Sequence, residues 1–130
     1  RQWGRGSGPR ALLACVPGEA HDISLIAFGL MLRSYGWRIV FLGADTPLST
    51  LAQTAEATRP ALTVLSIFEP ALLEQNARAL RRLAKAVPLA LSGPGASEAR
   101  CASLGIRRLD GDLIAAAHEV AGESAERPGV

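Results

Sequence analysis

The chain has 130 residues, 48% hydrophobic but only 5% aromatic, which is material for one domain with an aliphatic core. The formal net charge is +2, and no basic run has the density of a nucleic-acid footprint; the pairs Arg81, Arg82 and Arg107, Arg108 read as solvated helix and strand-end positions. No signal peptide or bilayer-length apolar run is present, and two cysteines, Cys15 and Cys101, make no disulfide framework, so a reducing, cytoplasmic setting is expected.

The chain starts with Arg1 rather than methionine and is expected to be a fragment of something longer. Residues 1–9 carry Gly4, Gly6 and Gly8 ahead of the first strand. A dinucleotide fingerprint would follow that strand and open a helix, so 1–9 reads as a linker, with Trp3 available to anchor it. Residues 11–16 form an apolar run that reads as a short buried strand, ended by Pro17 and Gly18. From Ser24, the residues Leu25, Phe28, Leu32 and Tyr35 recur at helical spacing. Ile26, Ala27, Leu30 and Met31 widen that apolar face, and Gly36 fits a C-cap.

Residues 37–42 read as a second strand, with Trp37 packed at the sheet edge, and 43–47 as a turn that Asp45 supports. A helix follows to about residue 58, with Thr46 or Ser49 as N-cap, until Pro60 breaks it. Residues 61–67 are nearly all apolar, as a central parallel strand should be. Pro70 begins a helix to about residue 86 with Leu72, Leu73, Leu80 and Leu83 inward. Residues 88–92 are a fourth strand, ended by Gly93, Pro94 and Gly95. Ser97 caps a short helix to about residue 104, and 105–109 is a brief fifth strand. Asp110 caps a last helix to about residue 121, which carries His118 at a surface or half-buried position; residues 122–130 read as a flexible tail.

Five strands alternating with five helices call for an α/β domain over residues 10–121, with a parallel sheet covered on both faces. Right-handed crossovers favour the flavodoxin-like, doubly wound order 2-1-3-4-5. Ligands then bind at the carboxyl edge of the sheet, at the switch point between the first and third strands. Glu19 and His21 lie on the loop that leaves the first strand there. A carboxylate two residues from an imidazole can hold one ring nitrogen and aim the other outward, as happens behind metal-bound histidines. One imidazole is too few ligands for a zinc site, but it suffices as an axial ligand to a metal carried by a macrocycle. The plain alternative is a helix-start histidine beside a solvated glutamate.

Other users of this fold fit poorly. A phosphorylation receiver needs acidic residues after the first strand and an aspartate ending the third, where Cys15 and Ser66 stand. A flavodoxin needs a hydroxyl- and glycine-rich phosphate loop, where Pro17, Gly18 and Glu19 stand. A Rossmann dehydrogenase lacks its glycine pattern here.

Gly18-Glu19-Ala20-His21-Asp22-Ile23, the segment 36–47 ending Leu42-Gly43-Ala44-Asp45-Thr46-Pro47, then Leu65-Ser66 and Ser92-Gly93-Pro94-Gly95-Ala96 together resemble the cobalamin-binding domain. The similarity covers about residues 10–121 and is greatest to the C-terminal domains of MerR-type, light-responsive transcriptional regulators. The resemblance implies adenosylcobalamin or methylcobalamin as cofactor, bound with its own base displaced and with His21 on cobalt. It implies that Glu19 tunes His21, that Ser66 meets the buried base, and that Asp22, Ile23, Ser24, Phe68, Ser92, Gly93 and Gly95 border the cofactor. The displaced tail is expected between the first and third strands, beside the fourth. The chain departs from the family pattern at Ser24 and Ser92, where glycines are usual, and at Phe68, where a smaller residue is usual. Each adds volume near the tail slot.

The implied function is sensing without independent catalysis. DNA would be bound through a helix-turn-helix domain upstream of Arg1, with no membrane partner and with homo-oligomers in the full-length protein. A cofactor-free interaction module and a corrinoid carrier of a methyltransferase remain alternatives.

Overall fold

The structure is a computed structural model that describes residues 2–3, 7–109 and 111–125, the first two as backbone only. Its elements are β1 (Gln2–Trp3), β2 (Arg10–Cys15), α1 (Ile23–Ser34), β3 (Arg38–Gly43), α2 (Leu48–Thr58), β4 (Leu62–Ser66), α3 (Pro70–Ala86), β5 (Leu89–Ser92), α4 (Glu98–Leu104), β6 (Arg107–Arg108) and α5 (Leu113–Ala125). The sheet order is β1-β3-β2-β4-β5-β6. All pairings are parallel except β1 with β3. The five parallel strands therefore follow the expected 2-1-3-4-5 order. Gln2 and Trp3, expected in a linker, pair antiparallel with Val40 and Ile39 and cover the outer edge of β3. The anchoring expected of the Trp3 side chain lies outside the described residues.

Alternation along β2 builds two cores. Ala11, Leu13 and Cys15 face α1 and α5, joined by Leu25, Phe28, Leu32 and Ala117. Leu12, Ala14 and Val16 face α2, α3 and α4, joined by Leu51, Leu73, Leu80 and Leu104. Both faces of a central strand are thus dry, which is why the run is continuously apolar. Cys15 fills core as expected, and burial pushes its thiol up to about 12, with Asp22 and Glu19 adding to the shift. Trp37 is buried as well.

Several expected details differ. On α1 the face turned inward is narrower than the apolar pattern, because Ala27, Leu30 and Tyr35 are exposed. The N-cap position of α2 is Pro47, with no side-chain hydrogen bond. Thr46 instead turns its hydroxyl back to the Gly43 carbonyl at 3.0 Å, which tightens the turn rather than capping the helix. Ser97 does cap α4, accepting from Arg100 N. Asp110 lies outside the described residues; Asp112 Oδ1 accepts from the Ile114 and Ala115 N–H groups at the start of α5. Helix α5 runs to Ala125, past the expected end at residue 121. Arg107 holds that last turn through a two-pronged contact with Glu123. His118 is exposed, 3.3 Å from the Tyr35 hydroxyl. Among the described residues no helix is long and apolar enough to cross a membrane.

Candidate functional site

Three strands end in register at the carboxyl edge, where Cys15 pairs with Ser66 and Ser66 with Ser92. The loops that follow them meet, and Glu19 lies at their centre. Its side chain is 1% exposed, so it is not the solvated glutamate of the plain alternative. Oε2 takes the His21 ring Nδ1 at 2.7 Å and the His21 backbone N–H at 3.2 Å. Oε1 accepts from the Phe68 N–H and, at 3.3 Å, from the Glu69 N–H. Burial pushes the carboxyl up, but the hydrogen bond from the His21 side chain and those from the Phe68, His21 and Glu69 backbone outweigh it. The group titrates below its ordinary value of 4.5.

A buried carboxylate ionised at neutral pH can only accept, so Nδ1 of His21 carries the proton it donates. The lone pair of the neutral imidazole is then on Nε2. The His21 side chain is 63% exposed, so that lone pair is available from outside. Phe68 stacks on the imidazole with ring centroids 4.8 Å apart and planes 19° apart. The ring is therefore fixed from one edge by a charge and from one face by an aromatic plane.

Sequence reasoning missed part of this wiring. Asp45 has φ 48°, a left-handed conformation that aspartate tolerates better than most residues. Its Oδ1 accepts from the Gly18 N–H at 2.7 Å, and its own N–H donates to the Glu19 carbonyl at 2.8 Å. The turn after β3 thus clasps the loop that carries Glu19 and His21. The turn chemistry was visible in the sequence, but its partner 27 positions away was not.

A cavity of about 310 Å³ opens beside this loop, at the lower end of small-molecule sites. Ser24, Ser66, Phe68, Ser92 and Gly93 all line it, together with Phe28, Val64 and Arg108. It lies on the α1 and α5 face, over the ends of β4 and β5, rather than between β2 and β4. Glu19, His21, Asp22, Ile23 and Gly95 are not in its wall. Asp22 is the N-cap residue of α1, and Ile23 beside it is 81% exposed. Ile114, in the first turn of α5, is 71% exposed as well. A Cβ on Gly93 would meet the Ile67 carbonyl oxygen at 2.3 Å, and one on Gly95 would meet Phe68 C at 2.7 Å. The loop after β5 therefore lies directly on the loop after β4, which donates to Glu19.

The donor set fits a metal held mainly by something other than this chain. Among the described residues no group of three His, Cys, Asp or Glu is placed to hold a metal ion, yet one imidazole is supported in the way metal-bound histidines are. A large planar ligand would find the exposed His21 ring and Ile23 at the edge, and a side arm would find the cavity.

Comparisons with known proteins agree with that arrangement. A family model described as the B12 binding domain matches residues 9–123. The chain is 38% identical over 95 residues to the HTH-type transcriptional repressor CarA of Myxococcus xanthus, covering 71% of this chain and 33% of the repressor. It is 34% identical over 86 residues to CarH, an HTH-type transcriptional repressor of the same organism, covering 66% and 29%. The chain thus spans about a third of the length of these relatives. A cobalamin-binding protein from Desulfitobacterium hafniense shares the fold with a TM-score of 0.76 at 20% identity, covering 88% of this chain and 58% of that one. The methanol:cobalamin methyltransferase complex MtaBC of Methanosarcina barkeri does so with a TM-score of 0.76 at 16% identity, covering 92% and 47%. With a buried glutamate holding an exposed histidine at the switch point of a flavodoxin-like sheet and a family match over residues 9–123, this chain belongs to the B12-binding domain family.

Proposed function

We propose that this domain binds cobalamin with the cofactor's own base displaced and His21 Nε2 as the lower ligand to cobalt, and that it is the sensory domain of a transcriptional regulator. One observation carries the reading: a buried, ionised Glu19 holds Nδ1 of an exposed imidazole, leaving a lone pair on offer at the carboxyl edge. Cobalamin, when bound, supplies a cobalt with an exchangeable upper ligand, in the adenosyl or methyl form. The chain's own residues do the rest. Glu19 keeps His21 in the coordinating tautomer, Phe68 restrains the ring plane, and Asp45 sets the position of the loop. The cavity beside them takes the tail.

The regulator role is supported by sequence relatives that are repressors at 34–38% identity, against 16–20% for the structures from cobalamin and corrinoid proteins. In this reading DNA binding belongs to another part of the full-length protein, and this domain binds rather than catalyses.

The test is a visible spectrum of the chain mixed with methyl- or adenosylcobalamin in the dark. The native protein should move the spectrum away from that of free cobalamin, and His21→Ala should abolish the imidazole-ligated form. A spectrum unchanged by the native protein, or an identical one with His21→Ala, defeats the assignment. A methyltransferase or mutase domain encoded beside this one would defeat the regulator role.

A further inference from the structure

The outer face of α3 carries charge that the site at the carboxyl edge does not use. Arg78, Arg81, Arg82 and Lys85 are all exposed, and helical geometry sets them within one arc of roughly 100°. The buried Leu73, Leu80 and Leu83 lie on the opposite side of the helix. Along the chain these cations read as solvated positions; the helix gathers them into one stripe. Their spacing of three, four and seven residues places like charges side by side, which works against the helix. Among the described residues none of the four forms an ion pair. Glu74 is the acidic residue of α3, one turn before Arg78, yet both its oxygens are taken by Arg100 of α4, each at 2.8 Å.

A hollow of about 340 Å³ between α3 and α4 widens the stripe, with Arg78 and Arg81 in its wall. Since Arg100 neutralises Glu74 there, the hollow presents two guanidinium forks, a geometry that matches phosphate. What the stripe lacks narrows the partner further. The large apolar side chains exposed among the described residues are Ile23, Leu30, Tyr35 and Ile114, none of them on α3. A protein partner is anchored by apolar and aromatic side chains at the centre of its interface. Phosphates are held by Arg and Lys without them.

We propose that the outer face of α3 docks the phosphate backbone of duplex DNA, a sequence-independent contact that adds to base reading elsewhere in the full-length protein. The choice of DNA rests on the regulator reading above. Helix α3 starts at the carboxyl edge, and its cations lie on the half that runs back toward the amino edge. DNA and cobalamin therefore occupy different surfaces of the domain.

The experiment follows the fluorescence anisotropy of a labelled duplex of arbitrary sequence. It is titrated with the native chain, with the double variant Arg81→Ala, Arg82→Ala, and with Arg33→Glu. The last makes the same change in net charge on α1, which packs on the other face of the sheet. The native chain should bind with a Kd of about 1–100 µM at about 50 mM salt, and its log affinity should fall against log salt with a slope of about −4. The double variant should bind about 10- to 100-fold more weakly, with a slope shallower by about 2, while Arg33→Glu should match the native chain. Alanine suits a helix and relieves the like charges, so the double variant should melt no lower than native. Equal losses for the two variants overturn the inference, and so does a native chain that leaves the duplex free at about 50 mM salt. If poly-L-glutamate binds as tightly as the duplex and loses as much in the double variant, the stripe belongs to an acidic protein and the inference is overturned. A failed titration leaves cobalamin binding and the regulator reading standing, because in that reading the bases are read by another part of the full-length protein.

Discussion

Replacing Glu19 with glutamine keeps the shape of the side chain and removes its charge. In the native chain four N–H groups converge on this carboxylate. Two of the contacts are long, at 3.2 and 3.3 Å, so the His21 ring and the Phe68 N–H dominate. A glutamine oxygen can serve only one pair of donors. Kept with Phe68 and Glu69, it turns its NH2 group against the His21 N–H and ring. That exchange should cost about 2–3 kcal/mol, since hydrogen bonds to charged groups contribute roughly 1.5–3 kcal/mol each. For a domain of this size the melting temperature should fall by about 5–12 °C. The NH2 group would also donate to Nδ1, which moves the ring proton to Nε2 and blocks coordination.

The pH dependence follows from the direction of the shift. The folded carboxyl titrates below its ordinary value of 4.5. Its contribution is therefore complete above that value and is lost as pH falls through the folded pKa. The gap between native and Glu19→Gln should be full near pH 7 and close as pH falls through the lowered pKa of the folded carboxyl. Calorimetry of both cofactor-free proteins across that range, with visible spectra of the cobalamin complexes at neutral pH, measures both effects. Melting within about 1 °C of native at neutral pH, together with an unchanged spectrum, would refute the reasoning.

Asp45→Ala should lose about 1–2 kcal/mol through the missing Gly18 contact and a left-handed alanine, whereas Asp45→Asn, which keeps an acceptor and tolerates φ 48°, should melt close to native; thermal denaturation separates them. Ser24→Gly with Ser92→Gly removes two hydroxymethyl groups from the cavity wall and should tighten hydroxocobalamin binding, because overpacking a tight site costs about 1–3 kcal/mol. Weaker binding in a spectrophotometric titration would identify the hydroxyls as ligand contacts instead.

The sheet was legible because its signals are local. β2, β3 and β5 are short, largely apolar runs closed by glycine or proline, and the dryness of β2 and β4 on both faces needs no partner to be read. The extra strand β1 was not legible. Gln2 and Trp3 carry no periodicity, and they are strand only because the edge of β3 offers them Val40 and Ile39 as partners. The width of the buried face of α1 was misread for a related reason. Leu30 and Tyr35 are apolar or aromatic at helical spacing, but the packed stripe passes through Leu25, Phe28 and Leu32 and leaves them outside. The end of α5 depends on Arg107 reaching Glu123, a contact between elements that spacing along one helix does not encode.

The site divides in the same way. Glu19 and His21 were visible because the two residues needed stand two apart on one loop. What holds them comes from three other loops. Asp45 clasps their loop from beyond β3. Phe68 and Glu69 donate to Glu19 from beyond β4. Gly93 and Gly95 press against Ile67 and Phe68 from beyond β5, closely enough that no Cβ fits. Phe68 is the clearest case. From the sequence it only adds bulk beside the tail slot; in the fold its backbone N–H joins the His21 side chain in holding the Glu19 carboxyl low and its ring steadies His21, while its side chain also lines the cavity. A substitution that looks like a departure from the family pattern thus contributes to presenting the imidazole. Arg108 is the converse. A basic pair at a strand end reads as solvated, and only the packing of β6 under Ala96 brings one of its two cations to the cavity. Residues that bond to the chain nearby leave a trace in sequence, whereas residues that complete the site from another strand end do not.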